Sequence, residues 1–248
     1  MNFRIEIEFD GTAYAGWQRQ GASLRSVQGV IEDAVFALCG ERVEVVGAGR
    51  TDAGVHARDM TANFSVEKKL KLVEVVRGLN YHLGAAGNSV RILRARRVAD
   101  DFNARFSCLG REYSYLILNR EAESPLMANR VWKVHGRLDV AAMREAAAAL
   151  LGRHDFTSFR ASECQAASAI KTLDVLDVRR RAGNIIEIRA AAKSFLHHQV
   201  RNIVGTLKAV GEGKLAASDM ARIIAACDRS AAGATAPACG LYFVRAKY

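Results

Sequence analysis

The chain has 248 residues, half of them hydrophobic and a quarter charged, which is the composition of a globular rather than a disordered protein, with one large core or two small ones. No apolar run is long enough to span a bilayer and no signal-peptide core follows Met1, so the expected location is the cytoplasm. Lys and Arg number 36 against 26 Asp and Glu, a net charge of +10, which favours a polyanionic partner, nucleic acid first. Cys39, Cys108, Cys164, Cys227 and Cys239 are scattered, odd in number and without a paired CxxC spacing, so neither a disulfide framework nor a zinc site is indicated.

Phe3, Ile5, Ile7 and Phe9 alternate with Arg4, Glu6 and Glu8, the period of a strand with one buried and one wet face. The segment 10–21 reads as a loop. Its Tyr14 and Trp17 are suited either to stacking on bases or to pinning the loop to the core. Ser26 is placed to cap a helix whose Val27, Val30, Ile31, Ala34, Val35 and Leu38 recur at helical spacing. A short strand over 43–46, a strand over 59–66, a helix over 70–83 and a strand over 89–98 follow. The second part repeats that order: a strand over 111–118, a helix capped by Asp139 to about Leu151, strands over 170–180 and 184–190, a helix over 194–210 and a strand over 240–247. Strand, helix, strand, strand, helix, strand is the order of a ferredoxin-like unit. The expected fold is therefore α+β, two βαββαβ halves with mostly antiparallel sheets flanking a central basic cleft. The expected domains are 1–105 and 106–248.

Three groups of residues carry chemistry. The stretch 47–57 holds Gly47, Gly49 and Gly54 around Arg50, Thr51, Asp52 and His56; so many glycines disfavour helix or strand and indicate a shaped loop. On the predicted helix 194–210, His197, His198 and Arg201 interrupt the stripe Leu196, Val200, Ile203, Val204 and Leu207. Adjacent histidines diverge by about 100° on a helix, and no ligand spacing accompanies them, which argues against a metal. Arg201, with Gly205 one turn on to admit another backbone, either pairs with a half-buried carboxylate or covers the core edge with its stem. Tyr113 and Tyr115 share one face of a strand, for packing or for presenting a hydroxyl. The clusters Arg94, Arg96, Arg97 and Arg179–Arg181 form a solvated face or a phosphate track.

Beyond 49–57, the stretches Phe9-Asp10-Gly11-Thr12, Gly16-Trp17-Gln18, Ser26-Val27-Gln28, Phe102-Asn103-Ala104-Arg105-Phe106-Ser107, Arg111-Glu112-Tyr113-Ser114-Tyr115, 195–205 and 234–243 together resemble the tRNA pseudouridine synthase A family over essentially the whole chain. The resemblance implies the pseudouridine synthase fold and conversion of uridine to pseudouridine at positions 38 to 40 of the tRNA anticodon stem-loop. It also implies a homodimer that needs no cofactor; the histidine spacing and the lack of long apolar runs add the expectation of no metal and no membrane association. It makes Asp52 the catalytic aspartate, Tyr113 the tyrosine near the target base, Arg201 the arginine that pairs with the aspartate, and Leu241 an apolar wall. Arg50, Thr51 and His56 lie in the matching loop as substrate-binding candidates, Arg50 contacting RNA or holding the place of the flipped nucleotide. Two departures stand out: Lys171-Thr172 replaces the family's Arg-Thr, keeping charge but losing bidentate geometry, and the stretch 121–129 has no recognisable counterpart.

The reaction breaks the bond from C1′ to N1, turns the uracil, joins C5 to C1′ and removes the C5 proton. A carboxylate suits the first stage, where positive character develops on the sugar, and apolar walls such as Leu241 and Val55 keep water from the detached base. No electron or group comes from outside, so the chemistry is complete without a cofactor. Two rival readings predict different outcomes. A non-catalytic RNA-binding protein has no use for an anion in a basic cleft. A metal-dependent hydrolase would use Asp52, His56 and His197 or His198 and would lose activity on chelation.

Overall fold

The computed structural model describes residues 1–21 and 24–248. In chain order, its main elements begin with β1 (Asn2–Phe9), α1 (Val27–Cys39), β2 (Val46–Gly47), β3 (His56–Ser65), α2 (Leu72–Ala85) and β4 (Val90–Val98). They continue with β5 (Gly110–Asn119), β6 (Trp132–Val134), α3 (Val140–Ala148), β7 (Gly152–Asp155), β8 (Ile170–Arg181) and β9 (Ile185–Ala192). The chain ends with α4 (Gln199–Gly211), α5 (Asp219–Ala226) and β10 (Leu241–Lys247). This is the expected α+β architecture with mostly antiparallel pairing. Two compact units are present: Met1–Arg111 with Tyr242–Tyr248, and Glu112–Leu241.

In the first unit β4, β1 and β3 pair antiparallel, β2 pairs antiparallel with β3 at Asn63 and Ala62, and β10 pairs parallel with β3 at His56 and Ala57. Phe3, Ile5 and Ile7 are fully buried with Val27, Ile31 and Val35 of α1 and Val75, Leu79 and Leu83 of α2. Ser26 caps α1 by accepting the Gly29 N–H at 3.2 Å. The other face of β1 is wet only in part: Glu8 is exposed and Arg4 half-buried, but the segment after β4 covers Asn2 and a β4 arginine covers Glu6. Asn2 is buried and donates to the carbonyls of Ala99 and Phe102 at 3.0 and 2.9 Å. Glu6 is buried against Arg94.

Tyr14 and Trp17 prove to be anchors. Trp17 is 2% exposed and packs on Phe9. Tyr14 is buried, donates its hydroxyl to Asn88 Oδ1 at 3.2 Å and accepts the Ser89 N–H at 3.0 Å. Tyr14→Phe leaves that N–H unpaired, and the expected loss is about 1–2 kcal/mol of folding stability, measurable by urea unfolding.

In the second unit the strand order is β5, β9, β8, β7, with β6 parallel to β5. Asp139 caps α3 by accepting from Ala141 and Ala142 at 2.9 and 3.1 Å. Leu150, Val178, Ile188, Ile203 and Leu207 form part of its core. Three elements lie outside the expected list: β6, β7 and α5. The helix predicted from 194 begins at Gln199 instead, because His198 takes a left-handed backbone with φ 60°. Several members of the arginine clusters are paired: Arg94 with Glu6 and Asp59, Arg179 with Asp177, and Arg181 with Glu187.

Candidate active site

The loop carrying Asp52 is built in the first unit by two chain segments that zip together. Trp17 donates its amide to the Thr51 carbonyl at 3.0 Å, Gly54 donates to the Tyr14 carbonyl at 3.4 Å, and the Val55 N–H closes a turn on the Asp52 carbonyl at 3.2 Å. Gly16 is required for this approach: its φ is +107° and a Cβ there would lie 2.5 Å from the Thr51 carbonyl oxygen. Gly54 also has a positive φ, +78°. Arg111 braces the start of the loop by donating its Nε to the Ala48 carbonyl at 2.8 Å.

On this frame Arg50 is exposed and Asp52 half-buried. Thr51 is 8% exposed, and its hydroxyl is buried with no hydrogen-bond partner. His56 is buried at the start of β3 and stacks on Tyr242 with ring centroids 4.8 Å apart. Its Nδ1 lies 3.0 Å from the Gly11 amide and 3.3 Å from Asp10 Oδ1. The amide approaches hydrogen first, so Nδ1 is the acceptor. His56 thus ties the segment before Tyr14 to β3.

The second unit supplies Tyr113, Arg201 and Leu241. Tyr113, on β5, is 8% exposed and meets the Phe195 ring edge-on at 5.2 Å. Its strand neighbour Tyr115 is fully buried and donates its hydroxyl to the Pro237 carbonyl at 2.7 Å. Burial pushes the Tyr115 hydroxyl far above the usual phenol range, which makes it unsuited to acid–base work at neutral pH. Arg201 is half-buried on α4 and donates its Nε to the Ala236 carbonyl at 2.8 Å, while the Ala236 amide donates to the Arg201 carbonyl at 3.1 Å. These reciprocal bonds fix the guanidinium against the segment that leads into Leu241, which is 6% exposed at the start of β10. Gly205 permits this: a Cβ there would lie 1.7 Å from the Ala234 carbonyl oxygen.

His197 and His198 precede α4 rather than sitting on it, and their rings lie 4.0 Å apart. The expected 100° divergence therefore does not apply to them. Phe195 and Asn202 lie in a stretch that the sequence singled out, yet nothing in their residue types marks one as the partner of Tyr113 and the other as a buried junction.

A family model described as tRNA pseudouridine synthase matches residues 6–107 and 146–248. The chain belongs to the tRNA pseudouridine synthase family. Full-length likeness to named members agrees with this. The chain is 53% identical to the tRNA pseudouridine synthase A of Rhodospirillum centenum over 248 residues, all of both chains. It is 51% identical to that of Mesorhizobium japonicum over 99% of this chain and 98% of the other, and 50% identical to that of Sinorhizobium medicae over 99% of each. As a pseudouridine synthase this protein is an isomerase; the Asp52 loop, Arg201 and Leu241 fall within the matched residues, and Tyr113 lies between the two matched stretches. No helix among its described residues is long and apolar enough to cross a membrane.

Proposed function

We propose that this protein converts uridine to pseudouridine at positions 38 to 40 of the tRNA anticodon stem-loop, with Asp52 as the catalytic carboxylate. The observation that carries the reading is the Asp52 loop itself. A half-buried carboxylate is held on a backbone fixed by Gly16, Trp17 and Val55, in a chain with a net charge of +10. An anion weakens RNA binding, whereas opening a glycosidic bond uses one where the sugar gains positive character. Tyr113 contacts the uracil and assists loss of the C5 proton. Arg201 supplies a fixed positive charge, Leu241 an apolar wall, Arg50 an RNA contact, and Thr51 and His56 shape the loop for substrate. The protein acts in the cytoplasm as a homodimer, with no cofactor, no metal and no membrane association. Basic side chains offset the few kcal/mol needed to take a base out of its stack.

Incubating the protein with unmodified tRNA tests this reading. Pseudouridine is expected to form at an undiminished rate after exhaustive chelation. Loss of activity with chelator and recovery with a divalent metal would favour the metal-dependent alternative, and absence of product with bound tRNA would favour a binding protein.

A further inference from the structure

A pocket of about 450 Å³ lies within the second unit, away from β5 and Tyr113 in sequence and lined by Thr157, Arg160, Ser162, Asn202, Arg229 and Thr235 among others. Its frame is rigid. Asn202 is fully buried, donates its Nδ2 to the Phe159 carbonyl at 2.9 Å, and accepts from Thr235 at 2.7 Å and from Arg229 at 3.1 Å. One buried amide therefore joins the three segments that make the walls.

The charge of the pocket is the unusual feature. Arg160 donates to the carbonyls of Cys164 and Ala166, and Arg229 to Asn202, Thr235 and Ala232. All of these acceptors are neutral. Among the described residues neither arginine has a carboxylate within ion-pair distance. Asp228 lines the pocket too, but its carboxylate accepts from the amide and hydroxyl of Ser230. Asp155 feels the charge of Arg160 while its own oxygen is bonded to Thr157. Burial pushes the Arg229 guanidinium below its usual range, with no acid to oppose it. Two guanidiniums that lack an ion-paired carboxylate, with the exposed Ser162 hydroxyl in the same lining, are the donor set of a phosphate site.

We propose that this pocket is a subsite for the RNA backbone, in which Arg160 and Arg229 grip a phosphodiester, Ser162 donates to a phosphate oxygen, and Thr157 and Thr235, whose own protons go to Asp155 and Asn202, accept from the adjoining ribose hydroxyl. The inference rests on the tRNA reading above and deepens it. The one aromatic ring in the lining is that of His198, and it lies against the His197 ring at 4.0 Å, so a backbone segment rather than a stacked base is the occupant. The volume is large enough for a sugar with its phosphate. Asn202 follows Arg201 directly on α4, so a phosphate held here sets the register of the RNA strand relative to that arginine.

The test measures tRNA affinity against salt for Arg160→Gln, Arg229→Gln and Ser162→Glu. Ser162 is exposed and makes no bond that holds the frame, so its variant remains informative if an arginine variant unfolds. Arg222→Gln, which removes a charge from the exposed Asp219 pair on α5, is the control. Each pocket variant is expected to weaken binding about tenfold at moderate salt. Each arginine variant should also lower the slope of log affinity against log salt by roughly 0.7–0.9, one phosphate contact. Phosphate-ethylation interference should lose one or two positions in these variants and none in the control. Folded Arg160→Gln and Ser162→Glu proteins with wild-type affinity and slope would overturn the proposal, as would an equal loss in Arg222→Gln. Wild-type pseudouridine formation on the same RNA is scored separately. Product with unchanged slopes refutes the pocket alone, and no product refutes the reading beneath it.

Discussion

Asp52→Asn should lower pseudouridine formation by at least about 10³-fold while tRNA affinity stays the same or improves slightly. Asparagine has nearly the same shape, and the turn that positions it is made by backbone bonds from Trp17, Gly54 and Val55 rather than by the carboxylate. The loop therefore keeps its form when the charge is removed. What is lost is the anion that stabilises positive character on the ribose. The RNA complex, in contrast, sheds a repulsion. Single-turnover assays with enzyme in excess measure the chemistry, and filter binding measures affinity. A rate within tenfold of wild type would remove Asp52 from the reaction. A parallel collapse of rate and affinity would mean that the substitution had disturbed the loop.

The second large effect is structural. Gly205→Ala should cost about 2–4 kcal/mol of stability and lower the Tm by roughly 5–12 °C. The new methyl would sit 1.7 Å from the Ala234 carbonyl oxygen, which is backbone and cannot rotate away. Retreat of that segment would stretch three bonds: Gly233 N–H to Thr206 Oγ1 at 2.9 Å, Ala236 N–H to the Arg201 carbonyl, and Arg201 Nε to the Ala236 carbonyl. Thermal unfolding checks the stability. Activity below the unfolding temperature should also fall, since the brace on Arg201 is among the bonds stretched. An unchanged Tm would show that the loop can move without cost.

The legible parts of the fold are those set by local chemistry. The alternation of Phe3, Ile5, Ile7 and Phe9, the hydroxyl of Ser26 and the carboxylate of Asp139 act on neighbours in sequence, and β1, α1 and α3 stand where those signals put them. Long-range packing decides the remainder. Tyr14 is equally apt for RNA or core until Asn88 and Ser89 close around its hydroxyl. The start of α4 depends on a left-handed His198, a conformation that histidine adopts rarely and that no spacing announces. The return of 242–248 to the first unit rests on parallel pairing with His56 and Ala57, far away in sequence.

The candidate site divides in the same way. Asp52 is visible because glycines surround it, and Arg201 because it interrupts an apolar stripe. Arg160 and Arg229 look like any two of the chain's many basic residues. Only the folded walls around Asn202 bring them to one pocket without a counterion.

The most direct test of the central claim is position-by-position mapping of pseudouridine in unmodified tRNA after incubation with the wild-type protein. The account predicts new pseudouridine confined to positions 38 to 40, and none with Asp52→Asn under the same conditions. Product elsewhere in the tRNA, or the same product from the Asp52→Asn protein, would contradict it.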